Sequence, residues 1–237
     1  MPVGATGTAD ARSQPAGKQQ RFAVDLQKQV PHGAGLGGGS ANAATALWAA
    51  NQLAGRPATD ADLLTWSADI GSDISVFFAH GAAYCTGRGE IVEDVAPPVD
   101  LATEILLVKP PVGLSTPAIF KALDLNRQSP REPLDILQQL QQAGRITADV
   151  CVNDLEQPAF DVLPELRQLK QRLADSGQFS AVFMTGSGST IVCVGSSEVP
   201  EFVQQDSTLF AAPARLTTRE RGQWYQPPVA AKVPASA

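Results

Sequence analysis

Five glycines fall among the seven residues from 33 to 39, and this cluster constrains the fold more than any other feature of the chain. Glycine adds no side chain to a core and raises the entropic cost of ordering a loop, so something must approach the backbone closely there. A glycine loop that opens a helix points several N–H groups at one spot, and the helix dipole adds about half a positive charge. The cluster therefore predicts a phosphate-binding loop, with a tight turn and close helix packing as the alternative interpretation.

The residues that flank the cluster predict the elements on either side of it. Phe22, Val24 and Leu26 alternate with small or polar residues, a period of two that is typical of a strand. Ser40 is a good N-cap for the Ala-rich run that follows, and Gly55 ends that run. The predicted order is strand, glycine loop, helix.

Other nucleotide-binding classes compete for this pattern. A Walker A loop requires Lys directly after its glycines, and this cluster is followed by Ser. Gly33, Gly35 and Gly38 satisfy the dinucleotide-binding spacing, and Asp60 lies about 20 residues further on. However, Asp60 begins a helical segment, whereas the dinucleotide fold needs an acid at the end of a second parallel strand. No HRD or DFG segment follows, which excludes a protein kinase.

The rest of the first half predicts a second helix and a strand. DADLLTWSADI forms a helical pattern that Asp60 opens and Gly71 ends. Asp73 then precedes the apolar ISVFF, and GAAYCTGRGE is typical of a strand that runs into a turn. The pair Pro97-Pro98 breaks the pattern, and we predict the boundary between two subdomains there.

The second half predicts alternating strands and helices. Residues 105–108 form a short apolar strand, and Ser115 or Thr116 marks a helix start before Pro117. In DVLPELRQLKQRLADSG the apolar residues recur at helical spacing. Two apolar segments, FSAVFM and IVCV, flank a second glycine-serine stretch, TGSGST, and predict two buried strands around a tight loop. These patterns together predict an α+β fold.

Composition narrows the function classes. The chain carries 18 Lys and Arg against 24 Asp and Glu, a net charge of −6, which argues against a nucleic-acid or anionic-membrane partner. The three cysteines form no Cys-x-x-Cys pair, so a reducing compartment fits best, and two histidines are too few for a His-rich metal site. The longest uncharged stretch is too polar to span a membrane. We predict a disordered arm over residues 1–20 and a disordered tail over residues 226–237.

The stretch PHGAGLGGGSANAATA resembles the nucleotide loop of the GHMP kinases, a family that includes galactokinase and the homoserine, mevalonate and phosphomevalonate kinases. Pro31, residues 35–37 and Ser40-Ala41 match the family pattern of Pro, Gly-Leu-Gly and small residues. The triple glycine before Ser-Ala-Asn is similar to one branch of that family in its plant and algal form. Four more stretches are similar to the same branch, so the resemblance covers residues 21–225: ALWAANQLAG, IGSDISVFFAHGAAYCTGRGE, CVNDLEQPAFDVLPELRQLK and SAVFMTGSGSTIV.

The resemblance implies a two-domain GHMP kinase fold, with an ATP-binding N-terminal domain over residues 21–98 and a ferredoxin-like C-terminal domain over residues 99–225. It implies ATP-dependent phosphorylation of the 2-hydroxyl of 4-diphosphocytidyl-2-C-methyl-D-erythritol in non-mevalonate isoprenoid (terpenoid) biosynthesis. The expected partners are this small-molecule substrate and ATP, with Mg inferred from the reaction class, in the plastid stroma. Two alternatives stay open: another small-molecule kinase of the family, or a truncated, non-catalytic nucleotide-binding chain.

The resemblance also implies the residues of the site. Asp73 matches the family's catalytic acid, and a carboxylate ahead of an apolar segment can accept the proton of an attacking hydroxyl, although an N-cap is the alternative role. Asn153 and Asp154 match a stretch near the substrate side, with a helix cap as the alternative. Ser40 could also serve a magnesium ion. ATP binding is expected of Gly33, Gly35, Leu36, Gly37, Gly38, Gly39, Ser40, Ala41 and Asn42. A site-closing glycine loop is expected of Gly186, Ser187, Gly188, Ser189 and Thr190.

This sequence departs from the family pattern at Gly38 and Gly39, where many members have serines, and more widely at the initial strand. Family members carry an initial strand with Pro-Ala-Lys-Ile-Asn, whose Lys lies beside the catalytic acid, and this sequence contains no such stretch. The resemblance therefore predicts an incomplete N-terminal domain with unpaired sheet edges, and it leaves the activity of this chain open.

Overall fold

The computed structural model describes residues 21–219 and 224. The predicted arm and tail, residues 1–20 and 226–237, lie outside the described residues. The helices are α1 Gly38–Leu53, α2 Asp60–Ile70, α3 Thr116–Ala122, α4 Pro133–Ala143, α5 Glu156–Val162, α6 Pro164–Asp175 and α7 Glu201–Gln204. The strands are β1 Ala82–Thr86, β2 Ile91–Val95, β3 Glu104–Lys109, β4 Ala181–Met184, β5 Ile191–Val194 and β6 Phe210–Arg215. Within this described part, no helix is both long enough and apolar enough to cross a membrane.

The first half consists of two helices, a 3₁₀ helix at Ser72–Phe78 and the antiparallel hairpin β1–β2. Helix α2 has the predicted bounds because its start is encoded locally. The Thr59 side chain accepts a bond from the Asp62 N–H, and the Asp62 carboxylate accepts one from the Thr59 N–H, which together form a capping box. The acid at residue 60 therefore begins a helix. Every strand pair in the described part is antiparallel, so the dinucleotide-binding interpretation is wrong.

Two predictions around the glycine cluster are wrong. Residues 21–29 form no strand, and the side chains of Phe22 and Val24 are 39% and 59% exposed. A strand needs a neighbour for its backbone hydrogen bonds, and none of the described strands pairs with this segment. Ser40 is not the N-cap of α1 either. Gly37 holds that position at φ 64°, where its carbonyl accepts the first helical bond from the Ala41 N–H at 2.8 Å. Because glycine adopts positive φ readily, the helix begins ahead of the serine.

The second half forms a four-stranded antiparallel sheet in the order β4-β5-β3-β6. Along the chain a strand, helices, two strands, a short helix and a strand follow one another, which is the βαββαβ order of a ferredoxin-like fold. The predicted ferredoxin-like arrangement of this half is confirmed. The predicted strands around TGSGST are also confirmed as β4 and β5.

The two faces of β3 pack in different hydrophobic clusters, because side chains alternate between the two faces along a strand. Leu106 and Val108 are fully buried in the main core, which also contains Leu166 and Leu173 of α6. The other face of β3 packs in a smaller cluster with β4 and β5. The helical pattern predicted after residue 160 is divided between α5 and α6 at Pro164, since proline disfavours helical geometry at the residue before it.

Candidate active site

Two glycine loops meet backbone to backbone between the two halves of the molecule. We call residues 33–42 the first glycine loop and residues 186–190 the second glycine loop. A Cβ atom added at Gly35 would lie 2.1 Å from the Thr185 carbonyl oxygen and 2.9 Å from the Gly188 nitrogen. The Thr185 hydroxyl donates to the Gly35 carbonyl at 3.1 Å, and the Thr190 N–H donates to the Ala34 carbonyl at 3.2 Å. Only a residue without a side chain fits at position 35.

The second glycine loop is bonded to the segment that follows β3. The Ser189 hydroxyl donates to the Val112 carbonyl at 2.6 Å, and the hydroxyls of Ser187 and Thr116 lie 2.8 Å apart. Ser189 and Thr190 have no exposed surface. Residues 187–190 of this loop are therefore buried, and the hydroxyls of Ser187 and Ser189 are bonded inside the protein.

A buried lysine holds the same segment together. Lys109 is 5% exposed, and its ammonium donates to the carbonyls of Pro110 at 2.8 Å and Val112 at 3.3 Å. Burial lowers the pKa of Lys109 because the low-dielectric surroundings disfavour its charged form. The ammonium thus points into the loop that supports the second glycine loop, not into open solvent.

The first glycine loop is open where α1 begins. Cβ atoms added at Gly38 or Gly39 would meet no protein atom within 4 Å. Gly37, by contrast, has φ 64° and would place a Cβ 3.0 Å from the Phe77 ring. The first turn of a helix presents N–H groups without intrahelical partners, so this open backbone is suited to an anion.

A cavity of about 840 Å³ lies against this open backbone. All nine residues of the first glycine loop from which ATP binding is expected line it, together with Asp73. From the second half it is lined by Thr116, Phe120, Leu155, Gly186 and Ser187. The remaining predicted members of the second glycine loop, residues 188–190, do not line this cavity. The expected phosphate-loop residues and the expected catalytic acid are thus brought together in one space.

Asp73 is exposed and lies in the first turn of the 3₁₀ helix, hereafter the Asp73 segment (residues 72–78). The N-cap of that helix is Gly71, with no side-chain cap bond, so the alternative role of Asp73 as an N-cap is wrong. Within the described residues, no hydrogen bond or ion pair to the Asp73 carboxylate is found. Burial of the Cys85 thiol raises the pKa of that group, and the negative charge of Asp73 raises it further. The carboxylate is therefore available to a ligand.

An adjoining pocket of about 690 Å³ extends from Asp73. Gly39, Ser40, Arg88, Thr116 and Phe120 line it together with that acid. Arg88 lies at the tip of the β1–β2 hairpin, and its guanidinium is 3.5 Å from the Glu90 carboxylate. The lining of this pocket therefore includes the Ser40 hydroxyl, the Asp73 carboxylate and the Arg88 guanidinium.

Asn153 and Asp154 do not line either space. The Asn153 amide donates to the carbonyls of Met184 and Gly186, both at 2.9 Å, so it holds the second glycine loop in place. The Asp154 carboxylate accepts a bond from the Ser129 N–H at 2.9 Å. The Asn153 Oδ1 also accepts a bond from the Leu155 N–H at 3.0 Å, directly ahead of α5, so this side chain stabilises the entry to that helix although the N-cap position is Leu155. A role for the two residues toward substrate stays a prediction.

Sequence reasoning missed several residues that line the site. Thr116, Phe120 and Arg88 line the adjoining pocket, and Lys109 braces the loop behind it. The stretches that contain them, GRGE and KPPVGLSTPAIF, were used only to predict a turn and a helix start. A polar residue placed at a turn or at a helix start next to glycines was the available signal for Arg88 and Thr116.

Comparison with known proteins gives matches over most of the chain. The profile for the GHMP kinases N terminal domain matches residues 5–82, and the profile for the GHMP kinases C terminal domain matches residues 100–206. The chain is 53% identical to the chloroplastic 4-diphosphocytidyl-2-C-methyl-D-erythritol kinase of Mentha piperita, over 90% of this chain and 54% of that protein. It is 49% identical to the chloroplastic enzyme of that name from Arabidopsis thaliana, over 93% of this chain and 59% of that protein.

A solved structure agrees with these matches. The crystal structure of a 4-(cytidine 5'-diphospho)-2C-methyl-D-erythritol kinase superposes with a TM-score of 0.58 at 27% identity, over 79% of this chain and 68% of that one. The chain spans about half the length of the curated relatives it matches, 54% and 59% in the two cases above.

Proposed function

The chain belongs to the GHMP kinase family, and we propose that its whole protein transfers the γ-phosphoryl group of ATP to the 2-hydroxyl of 4-diphosphocytidyl-2-C-methyl-D-erythritol. One observation carries the proposal. The open start of α1 and the unbonded carboxylate of Asp73 line the same cavity. The substrate is inferred from the names of relatives that are 53% and 49% identical to this chain.

The first glycine loop holds the phosphates of ATP in this proposal. The N–H groups of residues 38–40 have no intrahelical acceptor because they form the first turn of α1. The helix dipole adds a partial positive charge at the same place. The missing side chains at Gly38 and Gly39 let phosphate oxygens approach the backbone directly.

Asp73 acts as the general base. Its carboxylate accepts the proton of the substrate hydroxyl as that oxygen attacks the γ-phosphorus; the new O–P bond forms, the bond to the β-phosphate bridging oxygen breaks, and ADP leaves. Phosphoryl transfer depends mainly on positioning and on charge neutralisation, which the α1 N–H groups and Arg88 can supply from this chain.

The residues present fit a magnesium ion. Ser40 offers a hydroxyl oxygen in the pocket beside the first glycine loop, and Mg²⁺ usually keeps several waters and takes other ligands from substrate phosphates, which leaves Asp73 free to act as the base. When bound, Mg²⁺ supplies neutralisation of the charge that develops on the phosphate oxygens. The described residues contain no cluster of three or more His, Cys, Asp or Glu that would hold a metal without such phosphates.

We make two further proposals, on localisation and on the domain boundary. We place the protein in the plastid, because the names of the plant relatives call them chloroplastic. We place the boundary between an ATP-binding domain and a C-terminal domain at residues 98–99, within the connection between β2, which ends at Val95, and β3, which begins at Glu104.

The substrate is tested by ADP release. Purified protein is incubated with ATP, magnesium and 4-diphosphocytidyl-2-C-methyl-D-erythritol, with homoserine and mevalonate as control acceptors. We expect ADP release with the diphosphocytidyl substrate only. Release with a control acceptor instead would indicate another kinase of the family. Nucleotide binding without release in any mixture would favour the non-catalytic interpretation.

A further inference from the structure

After β6 the chain returns to the first half and runs beside the end of the Asp73 segment. The Arg219 N–H donates to the His80 carbonyl at 2.8 Å. A Cβ atom added at Gly81 would lie 2.8 Å from the Thr218 methyl group, so the two backbones are in close contact. The connection between the Asp73 segment and β1 is thereby fastened to the last described part of the chain.

The Arg219 side chain caps the Asp73 segment. Its guanidinium donates to the carbonyls of Phe77 at 2.5 Å and Ala79 at 2.6 Å. Carbonyls at the end of a helix lack intrahelical donors, and a seven-residue 3₁₀ helix has weak hydrogen bonds of its own. Burial lowers the pKa of Arg219, yet the guanidinium stays charged at physiological pH. These two bonds therefore fix where the Asp73 segment ends.

Trp224 joins the same cluster and links it to α1. Its ring stacks on Trp48 of α1 with centroids 5.7 Å apart and planes 10° from parallel. It also contacts the Phe78 ring at 4.9 Å, and the Arg219 guanidinium carbon lies 4.1 Å from its centroid. Trp48 belongs to α1 and Phe78 to the Asp73 segment, and the opposite ends of these two elements line the candidate active site.

We propose that Arg219 and Trp224 form a C-terminal clamp that positions Asp73 relative to the start of α1. The inference rests on the proposed function, because it assigns the clamp a role in the same phosphoryl transfer. The Asp73 segment is also held from α2, where the hydroxyls of Ser67 and Ser75 lie 2.9 Å apart. That bond fixes the middle of the segment. The clamp fixes the end of the Asp73 segment and its distance from α1. The Ser67–Ser75 contact and the clamp therefore hold different parts of the segment.

Arg219→Lys tests the clamp with its charge kept. Both carbonyls accept from one guanidinium nitrogen, Nη2, and the shorter lysine side chain has no planar group that can stack on an indole ring while its nitrogen reaches them. We expect kcat to fall about 10-fold or more, because small displacements of a catalytic group are costly, while the KM for ATP changes less than about 2-fold. Amide hydrogen exchange in residues 72–79 should become faster.

Arg172→Lys is the matched control. The Arg172 guanidinium carbon lies 4.1 Å from the centroid of the Phe202 ring, the same distance as in the clamp, but Arg172 is exposed on the second half of the molecule. We expect this variant to keep kcat within about 2-fold and to leave exchange in residues 72–79 unchanged. Trp224→Ala should reproduce the changes of the Arg219 variant. All measurements are made at a temperature where melting curves show each variant folded.

The outcomes separate the clamp from the proposed function. Unchanged amide exchange in residues 72–79 in both the Arg219 and Trp224 variants would overturn the clamp. Faster exchange with kcat unchanged, or an equal loss of kcat in the Arg172 control, would overturn its positioning role. If the unmodified protein releases no ADP with any acceptor, the proposed function fails, and amide exchange alone then decides whether the clamp holds the Asp73 segment.

Discussion

The two glycine loops have similar composition but opposite surroundings. In the first loop, the backbone at Gly38 and Gly39 is open, and it faces a cavity that Asp73 shares. In the second loop, Ser189 and Thr190 have no exposed surface, and the Ser189 hydroxyl is bonded to a carbonyl of another segment. The first loop therefore has the features of a ligand-binding loop, whereas most of the second is a structural support.

Glycine content alone therefore does not identify a binding loop. Even within the first loop the reasons for glycine differ. Gly35 is required by the Thr185 carbonyl, which is a protein atom, and the start of α1 is free for a ligand. A glycine that packing demands is one where an added Cβ atom would meet other protein atoms, and a glycine that a ligand can use is one where it would meet none.

The largest effect is expected for Gly35→Ala. The added methyl group would lie 2.1 Å from the Thr185 carbonyl oxygen, and the residue has φ 68°, so both steric overlap and backbone strain oppose it. We expect a loss of about 3 kcal/mol or more in the free energy of unfolding. Urea denaturation followed by circular dichroism measures it. A urea midpoint equal to that of the unmodified protein would contradict the contact between the loops.

Gly38→Ala should change binding in the first loop and spare the fold. Its Cβ would meet no protein atom within 4 Å, and alanine favours a helix over glycine by about 0.5–1 kcal/mol. We therefore expect equal or higher stability but about 10-fold weaker ATP binding, since the methyl group occupies the approach of a phosphate. Calorimetric titration measures the affinity. Unchanged affinity would mean that the phosphates lie elsewhere.

Ser189→Ala should do the reverse in the second loop. It removes the 2.6 Å bond to the Val112 carbonyl, which then keeps only the longer 3.3 Å bond from the Lys109 ammonium. We expect a loss of about 0.5–1.5 kcal/mol in the free energy of unfolding, with ATP affinity within about 2-fold of the unmodified protein. Denaturation and titration of the same preparation check both values. A fall in affinity with stability unchanged would make this loop a ligand-binding loop as well.

The smallest effect is expected for Thr190→Val. Among the described residues, the Thr190 hydroxyl is the buried side-chain polar atom without a hydrogen-bond partner. Replacing an unbonded buried hydroxyl with a methyl group of similar shape should leave the free energy of unfolding unchanged or raise it by up to about 1 kcal/mol. The same denaturation assay suffices. A clear loss of stability would show that the hydroxyl has a partner, such as a buried water.

Much of the fold was predictable because its signals are local. The helical pattern that Asp60 opens and Gly71 ends gave the bounds of α2 correctly, and the capping box at Thr59 and Asp62 that stabilises its start lies within four residues. The apolar segments on both sides of TGSGST likewise gave β4 and β5. The open part of the first glycine loop and Asp73 were also predicted, the acid from the family resemblance.

The failures have a common physical cause, which is dependence on distant partners. The alternation at residues 22–26 is a strand pattern, but no described strand offers it hydrogen bonds. Asn153 bonds the carbonyl of Gly186, a residue 33 positions away, and no spacing rule points to that contact. Arg219 reaches Phe77 across 142 positions, so the clamp was invisible to any local pattern.

The most direct test of the account measures turnover and ATP affinity on Asp73→Asn in one preparation of the whole protein. The amide keeps the shape of the side chain and removes the proton acceptor, while the start of α1 is unchanged. We expect turnover, followed by ADP release, to fall about 10²-fold or more and the ATP dissociation constant from calorimetry to stay within about 2-fold. Normal turnover in this variant would contradict the central claim that Asp73 and the first glycine loop form one phosphoryl-transfer site.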